Sequence, residues 1–283
     1  MDSHKITTSY LAAYSAQEYI SKINPDEYNP RGNCVSNYAC KLEQNSRFRP
    51  YMEDACTIID KYLGNPDQGY FAVFDGHGGS EAVDYCKTRM HEEFRKSISE
   101  NPDDIKTAFV NCFAKIDNQL RLVGATTSGT TATVCFIRKE GHQKVLYAAN
   151  VGDSKAVLFS THEAEQISYD HKGTDYNEID RIISGGGILI RGRVAGQLAV
   201  SRALGDFHLK TSGVSNIPFT YRKVITPNDI CLIIATDGVW DTVDYNNLRF
   251  GKGRSSYDIA NHVVQSAIDS KSQDNICAVV VCF

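Results

Sequence analysis

The chain has 283 residues, 42% of them apolar and 23% charged, an ordinary globular composition with enough length for one large domain or two small ones. A net charge of -4 gives no basic footprint for nucleic acid, and no run of 18 apolar residues offers a membrane span. Nine cysteines without a Cys-x-x-Cys pair argue against a disulfide framework or zinc cluster and for a reducing, intracellular compartment, cytoplasmic or nuclear.

Met1-Asp2-Ser3-His4-Lys5 opens no signal peptide, and Asp2 stands where a myristoylation motif needs glycine. Residues 1–33 are polar and read as an N-terminal extension ahead of a domain over 34–283. Within the extension, Tyr10 and Tyr14 stand one helical turn apart, the spacing of a short helix. Residues 38–42 and 55–63 predict two strands, separated by Arg49-Pro50-Tyr51-Met52-Glu53-Asp54. The run 70–74, large and apolar, is closed by Asp75-Gly76-His77-Gly78-Gly79, a buried strand and its turn. Ser80 is placed to cap a helix over 80–98, with Val83, Cys86, Met90 and Phe94 as its apolar stripe. A second helix, 102–122, starts at Asn101-Pro102 with Asp103 and Asp104 in its first turn. The two predict an antiparallel pair lying on a sheet.

Residues 131–137, 145–151 and 155–159 are β-rich, and a short helix over 174–184 stops at Gly185-Gly186-Gly187. Residues 188–190 and 198–200 predict short strands, whereas 206–222 has no period and reads as a surface insertion. The apolar run 230–235 leads into Thr236-Asp237-Gly238. Ser256 is placed to cap a last helix, 256–270, and 276–283 is the final strand. Runs of strands interrupted by helix pairs predict an α+β layered domain.

The chemistry is concentrated at strand ends. Asp75 closes a buried strand, so sheet hydrogen bonds aim its carboxylate. Gly76 has no Cβ to keep its carbonyl from a shared ligand, and His77 adds a titratable ring. The pattern repeats at Val151-Gly152-Asp153 and at Ala235-Thr236-Asp237-Gly238. Asp274-Asn275 precedes the last strand, and Glu53-Asp54 the second. Any one of these aspartates alone reads as a turn residue. Together they are hard to read so, and if they converge, two carboxylates ~5 Å apart at an effective dielectric of ~20 repel by roughly 3 kcal/mol. Such a cluster needs cations, and its hard oxygen donors select Mg²⁺ or Mn²⁺ over zinc.

Eight blocks in order carry a resemblance. They are Arg49-x-x-Met52-Glu53-Asp54; Phe71 to Gly79; Ser128-Gly129-Thr130-Thr131-Ala132; Ala149-Asn150-Val151-Gly152-Asp153-Ser154; Asp170-His171-Lys172; Gly196 to Asp206; Asp237-Gly238-Val239-Trp240-Asp241; and Ser272-Gln273-Asp274-Asn275. Over residues 35–283 the sequence resembles the metal-dependent serine/threonine protein phosphatases of the protein phosphatase 2C family. The resemblance implies a four-layer αββα sandwich, two stacked antiparallel sheets flanked by helix pairs, with 174–184 and 256–270 as the second pair. It makes 34–283 a catalytic domain. It also implies roles. Asp75 would bridge two Mn²⁺ or Mg²⁺ ions, with Glu53 and the Gly76 carbonyl completing one site and Asp237 and Asp274 the other. Asp153, with Asp237 and Asp241, resembles a weaker third site. Asp54 would support the cluster, Arg49 would bind the phosphate and Arg193 the phosphopeptide.

The implied reaction is direct attack on phosphorus by a hydroxide bridging the ions, while Arg49 helps neutralise the phosphoryl oxygens. His77 would be the general acid for the alkoxide leaving group. Phosphorylated proteins are the expected substrates of a monomeric enzyme, with neither nucleic acid nor membrane as partner. A silent scaffold of the same family would be expected to have lost Asp75, Asp237 or Asp274. A small-molecule phosphatase is disfavoured by the irregular 206–222 segment, which suits an extended peptide. The chain departs from the family pattern at Arg47, at 207–222 and at Cys277, positions expected to bear on substrate choice more than on catalysis. His171 reads as structural, and Trp240 as core.

Overall fold

The computed structural model describes residues 32–283. The predicted extension lies outside them except for Gly32 and Asn33, and so does the helix expected around Tyr10 and Tyr14. Fourteen strands occur among the described residues, and both large sheets are antiparallel throughout.

In chain order, β1 (Asn37–Glu43), β2 (Asp54–Asp60) and β3 (Gln68–His77) precede α1 (Glu81–Glu100) and α2 (Ile105–Leu122). The chain continues through β4 (Gly129–Thr130), β5 (Ala132–Glu140), β6 (Gln143–Val151), β7 (Lys155–Ser160) and β8 (Ala164–Gln166). Next come α3 (Tyr176–Ser184), β9 (Leu189–Ile190), β10 (Arg193–Val194), β11 (Leu204–Gly205) and α4 (Phe207–Lys210). β12 (Phe219–Val224), β13 (Asp229–Ala235), α5 (Asp237–Trp240), α6 (Ser256–Asp269) and β14 (Ile276–Cys282) complete it. One sheet has the order β1-β14-β13-β7-β8; the other is built on β2-β3-β5-β6-β12, with β4 and β11 extending from the end of β3.

The uninterrupted apolar runs follow from this stacking. A strand buried on both faces cannot alternate apolar with polar, because successive side chains point to opposite faces. On β3, Tyr70, Ala72 and Phe74 pack under the helices, while Phe71 and Val73 face the other sheet. On β14, Ile276, Ala278 and Val280 pack under α6, while Cys277, Val279 and Val281 face inward. Three cores are thus stacked between four layers. In the helix-covered core, Phe94 of α1 stacks on Phe109 of α2 with ring centroids 4.3 Å apart. Each such buried ring is worth roughly 1.5–3 kcal/mol in transfer terms.

The predicted elements need six corrections. The second strand ends at Asp60, because Lys61 and Leu63 take positive φ (61° and 59°) in a tight turn. α2 starts at Ile105, not Pro102: Asp104 is its cap, accepting the Thr107 N–H at 3.0 Å, which leaves Asn101 to close α1. Caps also shift elsewhere: Ser80 makes no side-chain cap bond, and Ser255 rather than Ser256 accepts the Asp258 N–H, at 3.1 Å. The 206–222 stretch is less irregular than expected, since it holds α4 and the start of β12, which pairs with β6 as an edge strand. The proposed strand 198–200 makes only isolated bridges.

The sixth correction concerns the second helix layer. α3 does not pair with α6. It packs Ile182 with Val194, Val200, Ala203, Leu209 and Val214 in a separate small core under a flap. α6 is joined on its sheet by the short α5 and the loop after it, through Val239, Trp240, Leu248 and Phe250.

Candidate active site

The predicted acidic residues come together where strand ends of both sheets meet. Glu53, Asp75, Gly76, Asp153, Asp237 and Asp274 line one open cleft of about 310 Å³, with Arg49, His77 and Arg193 on its walls. Asp54 stands behind it, opposite Asp75 in the β2–β3 register. No three of these carboxylates bring their oxygens within 4.8 Å of one another, so the cluster is gathered but open.

Each carboxylate is held by backbone geometry. Asp75 ends the buried part of β3; its N–H is held by the Thr131 hydroxyl at 3.2 Å and its carbonyl accepts the Thr131 N–H at 2.9 Å. Gly76 donates its N–H to the Glu53 carbonyl at 3.0 Å, and a Cβ there would lie 2.8 Å from that oxygen. Only glycine lets the Glu53 loop lie so close. Asp237 opens α5 directly after β13. Buried Asp54 accepts the Thr236 hydroxyl at 2.8 Å.

Burial and mutual repulsion govern the protonation of the cluster. Burial pushes Asp54 up to about 8, opposed by the Thr236 hydroxyl and reinforced by Asp237 and Asp274. Asp237 is pushed up to about 7 by burial and by Asp153, Asp241 and Asp274. Asp75 is raised well above the usual carboxylate range, by burial first and then by its acidic neighbours. Asp54 and Asp237 are thereby drawn toward the protonated form near neutrality, and positive charge arriving in the cleft would oppose this. A donor set made of carboxylate and carbonyl oxygens fits hard divalent cations.

The cations of the chain itself are placed around this deficit. Arg49 pairs with the Asp274 carboxylate, and its Nε donates to the Gln273 carbonyl at 3.3 Å. Lys172 sits between Asp153 at 3.4 Å and Asp241 at 3.1 Å. It thus lies between two of the three carboxylates that the resemblance assigns to a third ion. Arg193 lines the cleft, whereas Arg191, two residues before it, does not. Arg193 Nη1 donates to the Gln197 carbonyl at 2.8 Å. Arg47 lies over the Phe48 ring and is not part of the cleft wall.

Three functional partners escaped the sequence reading. The buried Asp206 carboxylate lies 2.7 Å from His77 Nε2, and Gly129 is small enough to let the two meet. Asn275 ties the Arg49–Glu53 loop to the last strand: its Oδ1 accepts the Glu53 N–H at 2.8 Å, and its Nδ2 donates to the Gln44 and Tyr51 carbonyls at 2.7 and 3.0 Å. Thr236 fixes Asp54 and accepts the Cys277 N–H at 3.1 Å. All three lie in or beside the motif blocks, so their positions were marked although their partners were not. His171 is buried and bonds the Gly152 carbonyl at 3.1 Å, a structural role just ahead of Asp153.

Comparison with known proteins agrees with this geometry. The sequence signature of the family described as Protein phosphatase 2C matches residues 38–276. Protein phosphatase 2C homolog 1 of Schizosaccharomyces pombe is 37% identical over 262 residues, covering 89% of this chain and 75% of the relative. Protein phosphatase 2C homolog 1 of Saccharomyces cerevisiae is 35% identical over 254 residues, covering 84% of this chain and 90% of the relative. Among solved structures, a Caenorhabditis elegans sex determining protein superimposes with a TM-score of 0.74 at 25% identity, over 87% of this chain and 64% of that one. A phosphatase of Toxoplasma gondii superimposes with the same TM-score, 0.74, at 22% identity over 87% of this chain and 92% of that one, which speaks for the fold. Two antiparallel sheets bearing an acidic cleft at their joined ends define the class of the molecule, a metal-dependent protein phosphatase. The chain belongs to the protein phosphatase 2C family.

Proposed function

We propose that the chain hydrolyses phosphoserine and phosphothreonine in proteins, using two divalent cations, Mn²⁺ or Mg²⁺, in the acidic cleft. Asp75 would be shared between them, with Glu53 and the Gly76 carbonyl on one side and Asp237 and Asp274 on the other. The observation that carries this reading is the convergence of Glu53, Asp75, Asp153, Asp237 and Asp274 from distant strand ends on one cleft. When bound, the ions supply water made nucleophilic at neutral pH and positive charge beside the phosphoryl oxygens.

The chain's own groups do the rest. Arg49 stands at the mouth of the cleft in contact with Asp274. Its planar guanidinium can leave that carboxylate and receive two phosphoryl oxygens side by side, which a lysine cannot do. His77 is the proton donor to the serine or threonine oxygen. Asp206 takes Nε2, so Nδ1, which has no partner among the described residues, is the nitrogen left to give its proton to the leaving group. Asp206 is a positioning residue, because it fixes the ring through the nitrogen that does not react. Arg193, on the flap side of the cleft, is placed to hold the peptide flanking the phosphate. Asp153 is the weakest member of the ligand set, since Lys172 already neutralises it. The nine free cysteines suit a reducing cytoplasm or nucleus.

The test is phosphate release from a phosphothreonine peptide, measured in EDTA, with Mn²⁺ or Mg²⁺ restored, and with an Asp237→Asn variant. Activity is expected only with metal, and the variant should lose it. A folded chain inactive with every divalent ion would instead be a phosphoprotein-binding scaffold.

A further inference from the structure

Three cysteines far apart in sequence meet away from the acidic cleft. Cys40 lies on β1, Cys277 on β14 and Cys56 on β2. β1 and β14 are paired neighbours in one sheet, with Leu42 opposite Cys277, so Cys40 and Cys277 are diagonal on the same inward face. Cys56 approaches them from the facing sheet. The three sulfurs lie within 4.8 Å of one another, and among the described residues no other group of three potential metal-binding side chains converges so closely. The other six cysteines are buried and take no part in such a cluster.

We propose that Cys40, Cys56 and Cys277 form a thiolate site that takes one Zn²⁺, distinct in place and chemistry from the carboxylate cleft. Sulfurs about 2.3 Å from a tetrahedral zinc stand about 3.8 Å apart, a spacing these three can adopt. The closest pair, Cys40 and Cys56 at 2.7 Å, has to open by about 1 Å to do so. Soft sulfur donors reject the hard ions that oxygen donors take, so the two sites do not compete for the same metal. Two faces of the trio are closed by the inter-sheet core. Cys56 packs against the same inter-sheet core, although the residue as a whole is half-buried.

Charge favours zinc over monovalent copper. Lys87 on α1 is brought beside β2, where the Thr57 hydroxyl donates to its carbonyl at 2.8 Å, and its ammonium acts electrostatically on Cys40 and Cys56. Three thiolates and one divalent ion leave a single negative charge, which Lys87 balances. A monovalent ion would leave a further negative charge uncompensated against an apolar core, an expensive arrangement. The bound ion would join β2 to β1 and β14, clamping the two sheets three residues from Glu53 and from Asp274.

The full chain, reduced and stripped of metal, is titrated anaerobically with Co²⁺ in excess Mg²⁺. Co²⁺ is the spectroscopic stand-in for zinc, and its thiolate charge-transfer absorption in the near ultraviolet is blind to carboxylate sites. The absorption should saturate at one equivalent and be bleached by one equivalent of Zn²⁺. Cys56→Ser and Cys277→Ala should each weaken binding by more than the roughly 10- to 100-fold that loss of an outer partner costs. Cys282→Ala, a buried cysteine outside the trio, should leave it unchanged. The proposal is overturned by absence of the absorption in the folded, reduced wild-type chain, or by its survival in both trio variants. It is equally overturned if the chain, under these reducing conditions, is isolated two hydrogens lighter with Cys40 and Cys56 joined in a disulfide. Circular dichroism verifies that each variant is folded, and the wild-type titration decides the matter if one is not.

Discussion

Removing metal should invert the way this protein responds to pH. Asp54 is buried, and its carboxyl titrates at about 8 in the folded chain, against roughly 3.9 in the unfolded chain. A raised folded pKa means that the proton helps hold the native state. That help is complete below pH ~4 and is lost as pH climbs through 8. Between pH 5 and 8 the unfolded carboxylate is already ionised while the folded one must remain protonated. At ~1.4 kcal/mol per pH unit, and discounted for its coupling to the other acids, Asp54 alone costs the metal-free protein about 3 kcal/mol across that window. For a domain of this size the loss corresponds to a fall of roughly 6–12 °C in melting temperature. Thermal melts in EDTA at half-unit steps from pH 5 to 8 should show the fall. With saturating Mn²⁺ the slope should flatten or reverse, because cations bind the ionised form. Asp54→Asn keeps an acceptor for the Thr236 hydroxyl and should remove most of the slope in EDTA. A metal-free protein that grows more stable from pH 5 to 8, or a variant with the wild-type slope, would refute the reasoning.

Two further outcomes follow from the site. His77→Ala should slow hydrolysis of phosphothreonine by about 10²–10⁴-fold but cost far less on an aryl phosphate, whose leaving group needs no proton. Asp206→Asn should show the same selectivity at smaller size, and equal losses on both substrates would remove His77 from the acid role. Gly76→Ala should destabilise by about 1–3 kcal/mol and weaken Mn²⁺ binding by calorimetry, because the added methyl meets the Glu53 carbonyl at 2.8 Å and the Val83 side chain at 3.0 Å. Gly251→Ala, with open space around it, is the control and should be neutral.

What could be read in advance was whatever local chemistry fixes. The run 70–74 had to be buried on both faces, and an aspartate closing it had to point at something. Asp75, Asp237 and Asp274 were legible for that reason, and the motif order tied them together. What could not be read depended on packing between distant segments. Nothing near Asp206 reveals that it meets His77, 129 residues earlier. The helix 174–184 shows an apolar stripe but not which surface the stripe will cover, and only the fold shows that Ile182 packs in the small separate core. Lys172 was visible as part of a motif, yet only the fold shows that its ammonium lies between Asp153 and Asp241. The cysteines at 40, 56 and 277 lack any spacing signal, because their meeting is a product of strand order alone.

The flap's separate core has a consequence for how this molecule can change. Ile182, Val194, Val200, Ala203, Leu209 and Val214 cohere in a core of their own, while Leu204 among them belongs to the helix-covered core. Buried Glu178 laces the same segment together, receiving Arg181, Arg202 and the Ser201 hydroxyl. The same segment is nonetheless tied to the catalytic face, because its Asp206 meets His77 and its Gly205 N–H is held by Asp117 of α2. Changes confined to the small core can therefore reshape the surface beside the cleft, whereas Asp206 has to stay where it meets His77.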